Sequence, residues 1–263
     1  MNRIQNYESL KHQIVDWIKT YTQTYRIKSL VVGISGGIDS TVVSTLCAET
    51  GLPTYVITMP LHQAPSQDEL SDVHRNFLIS KYSNVIPMKL DLTSTFDEFV
   101  TTVDKSLGSE YSSNRLSLAN TRSRLRMVTL YQVAGSVQGI VVGTGNKVED
   151  YGIGFYTKYG DGGVDIAPIA DLYKTEVWEL GHYLGVDQRI IDAKPTDGLW
   201  DDGRTDEDQI GTSYANLEWA MNYDEHKQTY TLNNEQQKAL QLYHKFHTQN
   251  KHKMVPIPTF MLN

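Results

Sequence analysis

Leu30-Val31-Val32-Gly33-Ile34-Ser35-Gly36-Gly37-Ile38-Asp39-Ser40-Thr41-Val42-Val43-Ser44-Thr45 joins three local signals in one stretch. Leu30 to Ile34 is a short apolar, β-branched run, the pattern of a strand buried on both faces. Ser35-Gly36-Gly37 follows, with two residues that lack a Cβ and let the chain turn sharply. Asp39 and Ser40 then open a helix that runs on through Thr41 to Thr50. A strand, a glycine turn and a helix N-terminus together form an anion site. Unpaired N–H groups and the positive end of the helix dipole converge there, and the expected anion is a phosphate chain.

The flanking sequence repeats the alternation. Tyr7 to Tyr25 has helical apolar spacing through Leu10, Ile14, Trp17, Ile18 and Tyr21. Leu52 to Met59 reads as a second strand and Val85 to Leu90 as a third. Ser66 to Tyr82 between them reads as a helix, with Ser66 as N-cap and Glu69 completing a capping box. Thr93 to Leu107 and Ser117 to Val137 read as helices, and Gly139 to Gly143 as a fourth strand. This order predicts an α/β fold: a doubly wound parallel sheet with helices on both faces and ligands beyond the strand C-termini. Gly152 to Gly163 is too irregular for a repeat and too aromatic for a linker, so it reads as a long ordered or substrate-ordered loop. A second loop, Lys194 to Asp206, carries Asp197, Asp201, Asp202 and Asp206. Its spacing fits no calcium loop, and Thr205 with Asp206 to Asp208 reads as a helix start.

The chain has 263 residues, 40% of them hydrophobic, which suits a single α/β domain over 1–263 with appended helices. No segment approaches the ~20 apolar residues of a membrane span. The N-terminus lacks a secretory apolar stretch. Cys47 is the only cysteine, which excludes an intrachain disulfide and any Cys-x-x-Cys site. It reads as a small buried hydrophobe, and the expected setting is cytoplasmic. A net charge of −7 argues against a nucleic-acid-coating surface.

The type of phosphate loop narrows the chemistry. A Walker A loop needs a lysine before Ser/Thr, and none lies between Gly33 and Thr45. The dinucleotide fingerprint fails too, because the glycines fall at Gly33, Gly36 and Gly37. Ser-Gly-Gly-Ile-Asp-Ser resembles the PP-loop of the ATP pyrophosphatases, which have the adenine nucleotide alpha hydrolase type of fold. That family cleaves ATP between its α and β phosphates and adenylates a substrate oxygen.

Further motifs sharpen the resemblance. Gly-Thr-Gly-Asn-Lys-Val-Glu-Asp after the fourth strand runs into Phe155-Tyr156-Thr157-Lys158-Tyr159-Gly160-Asp161-Gly162, then Leu172-Tyr173-Lys174-Thr175. With Arg-x-Arg-Met, Lys-Pro-Thr, Asp-Glu-Asp-Gln-Ile-Gly and a terminal His-Lys, the chain is similar to the ammonia-dependent NAD synthetases over nearly its whole length. The resemblance implies amidation of deamido-NAD by ammonia, with ATP as co-substrate and Mg2+ as metal, in a homodimer that takes neither nucleic acid nor membrane. Gly33, Ile34, Ser35, Gly36, Gly37, Ile38, Asp39 and Ser40 would line the ATP site, with Thr144, Lys174 and Thr196. Asp39 and Glu149 match the magnesium ligands. Arg124, Lys158, Asp165, His252 and Lys253 match positions that hold deamido-NAD. Asp39 and Lys174 would serve catalysis. Between Glu149 and Phe155 the chain runs slightly longer than the family pattern, which bears on where Glu149 and Lys158 fall.

Each residue also has a plainer reading. Asp39 alone is an ordinary helix N-terminal acid, Glu149 a solvated helix residue and Lys174 a snorkelling lysine at a helix start. Lys158 fits a loop packed by its own aromatics, and His252-Lys253 a frayed tail. On a helix Arg122 and Arg126 share a face while Arg124 points roughly 200° away. Arg122 and Arg126 are therefore expected as salt-bridge partners. Asp165 fits either ammonia or the nicotinate ring. Competing functions are the ATP-pyrophosphatase part of another amidating ligase, such as GMP synthetase, and a non-catalytic adenine-nucleotide sensor. A PP-loop tRNA thiolase is disfavoured by the missing cysteines. A glutaminase domain would need its own nucleophilic cysteine, so free ammonia is the expected nitrogen donor.

Overall fold

The computed structural model describes residues 3–62, 65–108, 113–196, 204–227 and 229–262. Helix α1 (Tyr7–Thr24) leads into β1 (Ser29–Gly33), α2 (Ile38–Glu49), β2 (Thr54–Thr58), α3 (Pro65–Lys81) and β3 (Val85–Lys89). Next come α4 (Thr93–Leu107), α5 (Arg115–Ser136) and β4 (Gly139–Val141). A π-helix (Lys147–Ile153), α6 (Lys174–Leu184), α7 (Gln188–Asp192), α8 (Asp206–Ile210), α9 (Tyr214–Glu225) and α10 (Asn234–Met254) complete the described elements.

The strands pair in the order β3-β2-β1-β4, all parallel, as the alternation predicts. Side chains alternate across the sheet and explain the continuous apolar runs. Leu30, Val32, Ile140 and Val142 pack on one face with Ile14 and Ile18 of α1, Val42 and Leu46 of α2, and Val177 and Leu180 of α6. Val31, Ile57 and Val141 face the other way, against Phe96 of α4 and Met127, Leu130 and Ala134 of α5. Val31 and Val32 have no exposed surface; burying each such side chain contributes about 1.5–3 kcal/mol. Cys47 is likewise buried among the apolar residues of α2.

The order matters for function because β1 leaves one way to β2 and β4 lies on its other side. The crevice between the C-terminal ends of β1 and β4 is therefore the topological switch point, where ligands of such sheets bind. The Ser35–Gly37 turn flanks it on one side and the segment after β4 on the other.

Strands β2 and β4 are shorter than the sequence reading, and two helix starts differ from it. Helix α3 begins at Pro65, which places Ser66 within its first turn. Proline fits that first position because the N–H it lacks has no partner there anyway. Helix α5 begins at Arg115, with the Asn114 side chain accepting from the Ser117 amide at 3.0 Å. A separate apolar cluster joins the π-helix (Val148, Ile153) to α8, α9 and α10 through Ile210, Tyr214, Leu217 and Tyr243. That cluster fixes the segment carrying Glu149.

Candidate active site

The glycine turn is closed by its two serines. The Ser40 hydroxyl accepts from the Ser35 amide at 3.2 Å and donates to the Gly37 carbonyl at 3.1 Å, and the two hydroxyls lie 3.0 Å apart. Gly36 has φ of 87°, a left-handed conformation that disfavours any side chain. No side chain caps α2, so the amides of its first turn (Ile38, Asp39, Ser40) remain free for an anion. The turn expected from the hexapeptide is present.

Asp39 points from α2 into a buried polar cluster. Lys174 Nζ lies 2.5 Å from Asp39 Oδ2 and 2.9 Å from Glu149 Oε1. Asn146, with no exposed surface, donates to Asp39 Oδ1 at 3.2 Å and to Glu149 Oε2 at 2.7 Å. The Tyr214 hydroxyl donates to Glu149 Oε1 at 2.5 Å and approaches Asp206 Oδ2 at 3.3 Å. Its ring sits 4.9 Å from Lys174 Nζ. Lys174 is thus neither snorkelling nor solvated, and Glu149 is not a solvated helix residue.

A lysine opening a helix opposes the dipole. Here two carboxylates offset it, and the Glu176 side chain, held by Arg3 at 2.9 Å, accepts from the Tyr173 amide at 2.8 Å. Burial lowers the Lys174 pKa, but Asp39 and Glu149 outweigh it and the net shift is upward. Burial, then the nearby Glu149, raises the Asp39 pKa against the pull of Lys174. One cation is thus shared between two acids.

Glu149 lies in a π-helix, a form that accommodates extra residues in a turn and recurs at functional sites. The extra length before Phe155 falls within it. Asn146 caps this helix, its Oδ1 accepting from the Val148 and Glu149 amides. Gly145 must lack a Cβ, since one there would lie 1.9 Å from Asp150 Oδ2.

The glycine-aromatic loop beyond is ordered and tied on two sides. Toward α5, the Ser123 hydroxyl donates to Asp161 at 2.6 Å, the Thr157 hydroxyl to Asn120 at 2.6 Å, and Arg124 Nε to the Lys158 carbonyl at 3.2 Å. Toward α10, Asn250 donates to the Ile153 carbonyl at 2.8 Å and Lys253 to the carbonyls of Gly154 and Tyr156. Lys158 Nζ donates to the His252 carbonyl at 3.2 Å. The terminal His-Lys is therefore part of a docked helix, not a frayed tail. Burial lowers the Lys253 pKa, and Asp161 and Asp150 partly restore it.

Other expectations are corrected or left apart. Arg124 does point away from its neighbours, toward Lys158, but Arg126 forms no ion pair among the described residues. Its Nε donates to the Met59 carbonyl at 3.2 Å. Arg122 lies over the Phe96 ring at 5.6 Å. The salt-bridge reading fails for Arg126 because the helix turns it onto the end of β2, where a backbone carbonyl and no acid meets it. Asp165 accepts from the Tyr131 hydroxyl at 3.0 Å and the Val141 amide at 2.8 Å, tying it to β4. The His252 ring is exposed, and Thr144 is half-buried on the way to Asn146. Thr196 is exposed and donates to the Arg204 carbonyl at 3.3 Å, beside residues 197–203, outside the described residues along with Asp197, Asp201 and Asp202. Thr205 caps α8 as read, accepting from the Asp208 amide.

Sequence reasoning missed Asn146 and Tyr214. Asn146 had a signal, since Asn-Lys-Val-Glu is a capping-box spacing. Tyr214 had none, because its partner Glu149 lies 65 positions away.

Comparison with known proteins gives the family. Residues 10–256 match the NAD synthase family. The chain is 34% identical over 249 residues to the NH(3)-dependent NAD(+) synthetase of Finegoldia magna, covering 94% of each chain. It is 37% identical over 214 residues to the enzyme of the same name from Carboxydothermus hydrogenoformans, covering 81% of this chain and 84% of that one. The solved NMN synthetase of Francisella tularensis superposes with a TM-score of 0.85 at 28% identity, covering 98% of this chain and 100% of that one. The chain belongs to the NAD synthase family and carries the ATP-using, ammonia-dependent ligase activity of its NAD synthetases.

Proposed function

We propose that the chain, acting as one NAD synthetase domain over 1–263, amidates the nicotinate carboxylate of deamido-NAD through an acyl-adenylate. The observation that carries this reading is the meeting of Asp39 and Glu149 beside the uncapped N-terminus of α2. The acceptor carboxylate attacks the α-phosphorus of ATP and pyrophosphate leaves. Ammonia then adds to the activated carbonyl, loses a proton and displaces AMP. A carboxylate resists direct amidation because it would have to expel oxide; adenylation supplies a good leaving group.

The free amides of Ile38, Asp39 and Ser40 and the turn from Gly33 to Gly37 receive the departing pyrophosphate. Lys174 supplies positive charge beside it, with Thr144 and Thr196 as further ATP contacts. Asp39 and Glu149 suit Mg2+, because their oxygens are hard donors. Both Asp39 oxygens and Glu149 Oε2 each accept a single hydrogen bond and keep a lone pair. When bound, the ion would neutralise phosphate charge and align the leaving group. Arg124, Lys158, Asp165, His252 and Lys253 hold the acceptor, a role supported for Arg124, Lys158 and Lys253 by their common loop.

The test is NAD formation from deamido-NAD, ATP, Mg2+ and ammonium by the purified chain. Activity at fixed total ammonium should climb from neutral to mildly alkaline pH, since NH3 and not NH4+ is the nucleophile. Asp39→Asn should stop pyrophosphate release and keep the fold; unchanged turnover in that variant would remove the metal assignment.

One observation favours a second acceptor: the close superposition on an NMN synthetase. By the same chemistry the acceptor would be nicotinic acid mononucleotide, and the ratio of kcat/KM for the two acceptors decides between them. A cytoplasmic homodimer belongs to the same proposal. It is supported by exposed Leu116, Val128 and Tyr131 on α5 and is tested by sedimentation.

A further inference from the structure

Arg126 holds a position that its own contacts do not explain. Helix α5 runs antiparallel to the sheet: its far end meets the start of β1, where the Ser29 hydroxyl donates to the Val137 carbonyl at 2.9 Å. One turn after Arg126, Leu130 packs at the end of β1, its Cδ1 3.4 Å from where a Cβ on Gly33 would lie. Arg126 therefore stands about 6 Å further out, beyond the strand end and level with the Ser35–Gly37 turn. Met59, whose carbonyl accepts from Arg126 Nε, also touches Gly33 through its Cε, at 3.3 Å from that Cβ position.

Arg126 Nη2 is buried and has no hydrogen-bond partner among the described residues. Burial, then the neighbouring Arg122, lowers its pKa to about 10, so it stays charged at neutral pH. Two neighbouring cations already have acid partners. Lys174 is shared by two carboxylates, and Arg75, which reaches Thr58 at the end of β2, is paired with Asp72 at 2.9 Å. Asp161 attracts Arg126 only from beyond ion-pair distance, and a buried cation with a spare donor and no paired acid is strongly unfavourable unless an anion completes it.

We propose that Arg126 binds a phosphoryl group of a bound nucleotide, its Nη2 donating to a phosphate oxygen at the C-terminal edge of β1 and β2. This rests on the nucleotide-using reading above and adds a phosphate-binding residue to it. Two sources present that chemistry, the triphosphate of ATP and the phosphate of the acceptor. Its level beside the glycine turn favours ATP.

The experiment compares wild type with Arg126→Met, which keeps the apolar stem, and Arg126→Lys, which keeps the charge. Each is titrated calorimetrically with ATP, inorganic pyrophosphate and deamido-NAD separately, and unfolded in urea. Loss of one charge-assisted hydrogen bond should weaken phosphate binding about tenfold or more in Arg126→Met, with partial retention in Arg126→Lys. Weakening confined to ATP and pyrophosphate assigns the triphosphate, and weakening confined to deamido-NAD assigns the acceptor. The urea midpoint of Arg126→Met should hold or rise, because a lone buried charge is gone. Affinities within about twofold of wild type for all three ligands would overturn the proposal, and a lowered midpoint beside them would mark a structural arginine. Wild type that binds none of the three would instead sink the nucleotide-using reading.

Discussion

Lys174 Nζ and Asp39 Oδ2 lie 2.5 Å apart, although 135 positions separate them. Each residue sits in the first turn of its helix, α2 or α6, so two helix N-termini meet at one ion pair. Glu149, from the segment after β4, completes the cluster. Three separately folded pieces of chain thus converge on one charge, and assembly of the site is tied to assembly of the core beneath it.

Removing the cation should therefore cost stability as well as activity. Lys174→Met leaves two buried carboxylates facing each other, and breaking a buried pair from one side typically costs about 3–5 kcal/mol. The loss should shrink as pH falls, because burial already raises the Asp39 pKa and protonating that acid relieves the repulsion. Adding Asp39→Asn should restore part of the loss, read as a non-additive double-mutant cycle in urea. Strict additivity would show that the pair is not coupled.

Tyr214→Phe tests the support behind Glu149. The variant keeps the ring against Trp178 and Lys174 but removes the donor to Glu149 Oε1. Loss of such an outer partner typically weakens metal binding about 10–100-fold. The expected outcome is a Mg2+ activation curve shifted to higher concentration, with a folded protein and recovered turnover at saturating Mg2+. An unshifted curve would leave Tyr214 as packing alone.

Local pattern made the sheet and the glycine turn legible, because β-branched runs, a pair of glycines and helical spacing act within a few residues. Asp39 and Lys174 could be named from motifs, but their direct pairing could not, since it depends on how α2 and α6 pack. The arginines show the same limit. Helical phase correctly separated Arg124 from Arg126, yet the Met59 carbonyl that meets Arg126 belongs to a distant strand end. The π-helix was illegible for a different reason, since Asn146 marks a helix start without specifying its hydrogen-bond pitch.

Lys253 ties the C-terminal helix to the glycine-aromatic loop through the carbonyls of Gly154 and Tyr156. Lys253→Met leaves both without that donor, and a charged hydrogen bond contributes about 1.5–3 kcal/mol. The loop should open more often and be cut faster by protease between Gly152 and Gly163. If this loop holds the acceptor, its KM should rise about tenfold with a smaller change in the KM for ATP. Equal proteolysis of variant and wild type would show that the Asn250 and α5 contacts suffice.

His74 sets an acid limit on stability. Its ring is 1% exposed, bonded to the Ser44 hydroxyl at 2.8 Å, and burial lowers its pKa to about 4. The unfolded ring takes its proton near pH 6.5, so on acidification the unfolded state binds protons first and stability falls. The loss begins as pH drops through about 6.5, is complete below about 4, and amounts to about 3 kcal/mol over that window. Above pH 7 the group contributes no slope. Carboxylates titrate over part of the same range, so the contribution is isolated by comparison with His74→Leu, which removes the proton site. Urea midpoints measured from pH 7 to 4.5 should fall less steeply in the variant; parallel slopes would show that His74 is not the titrating group.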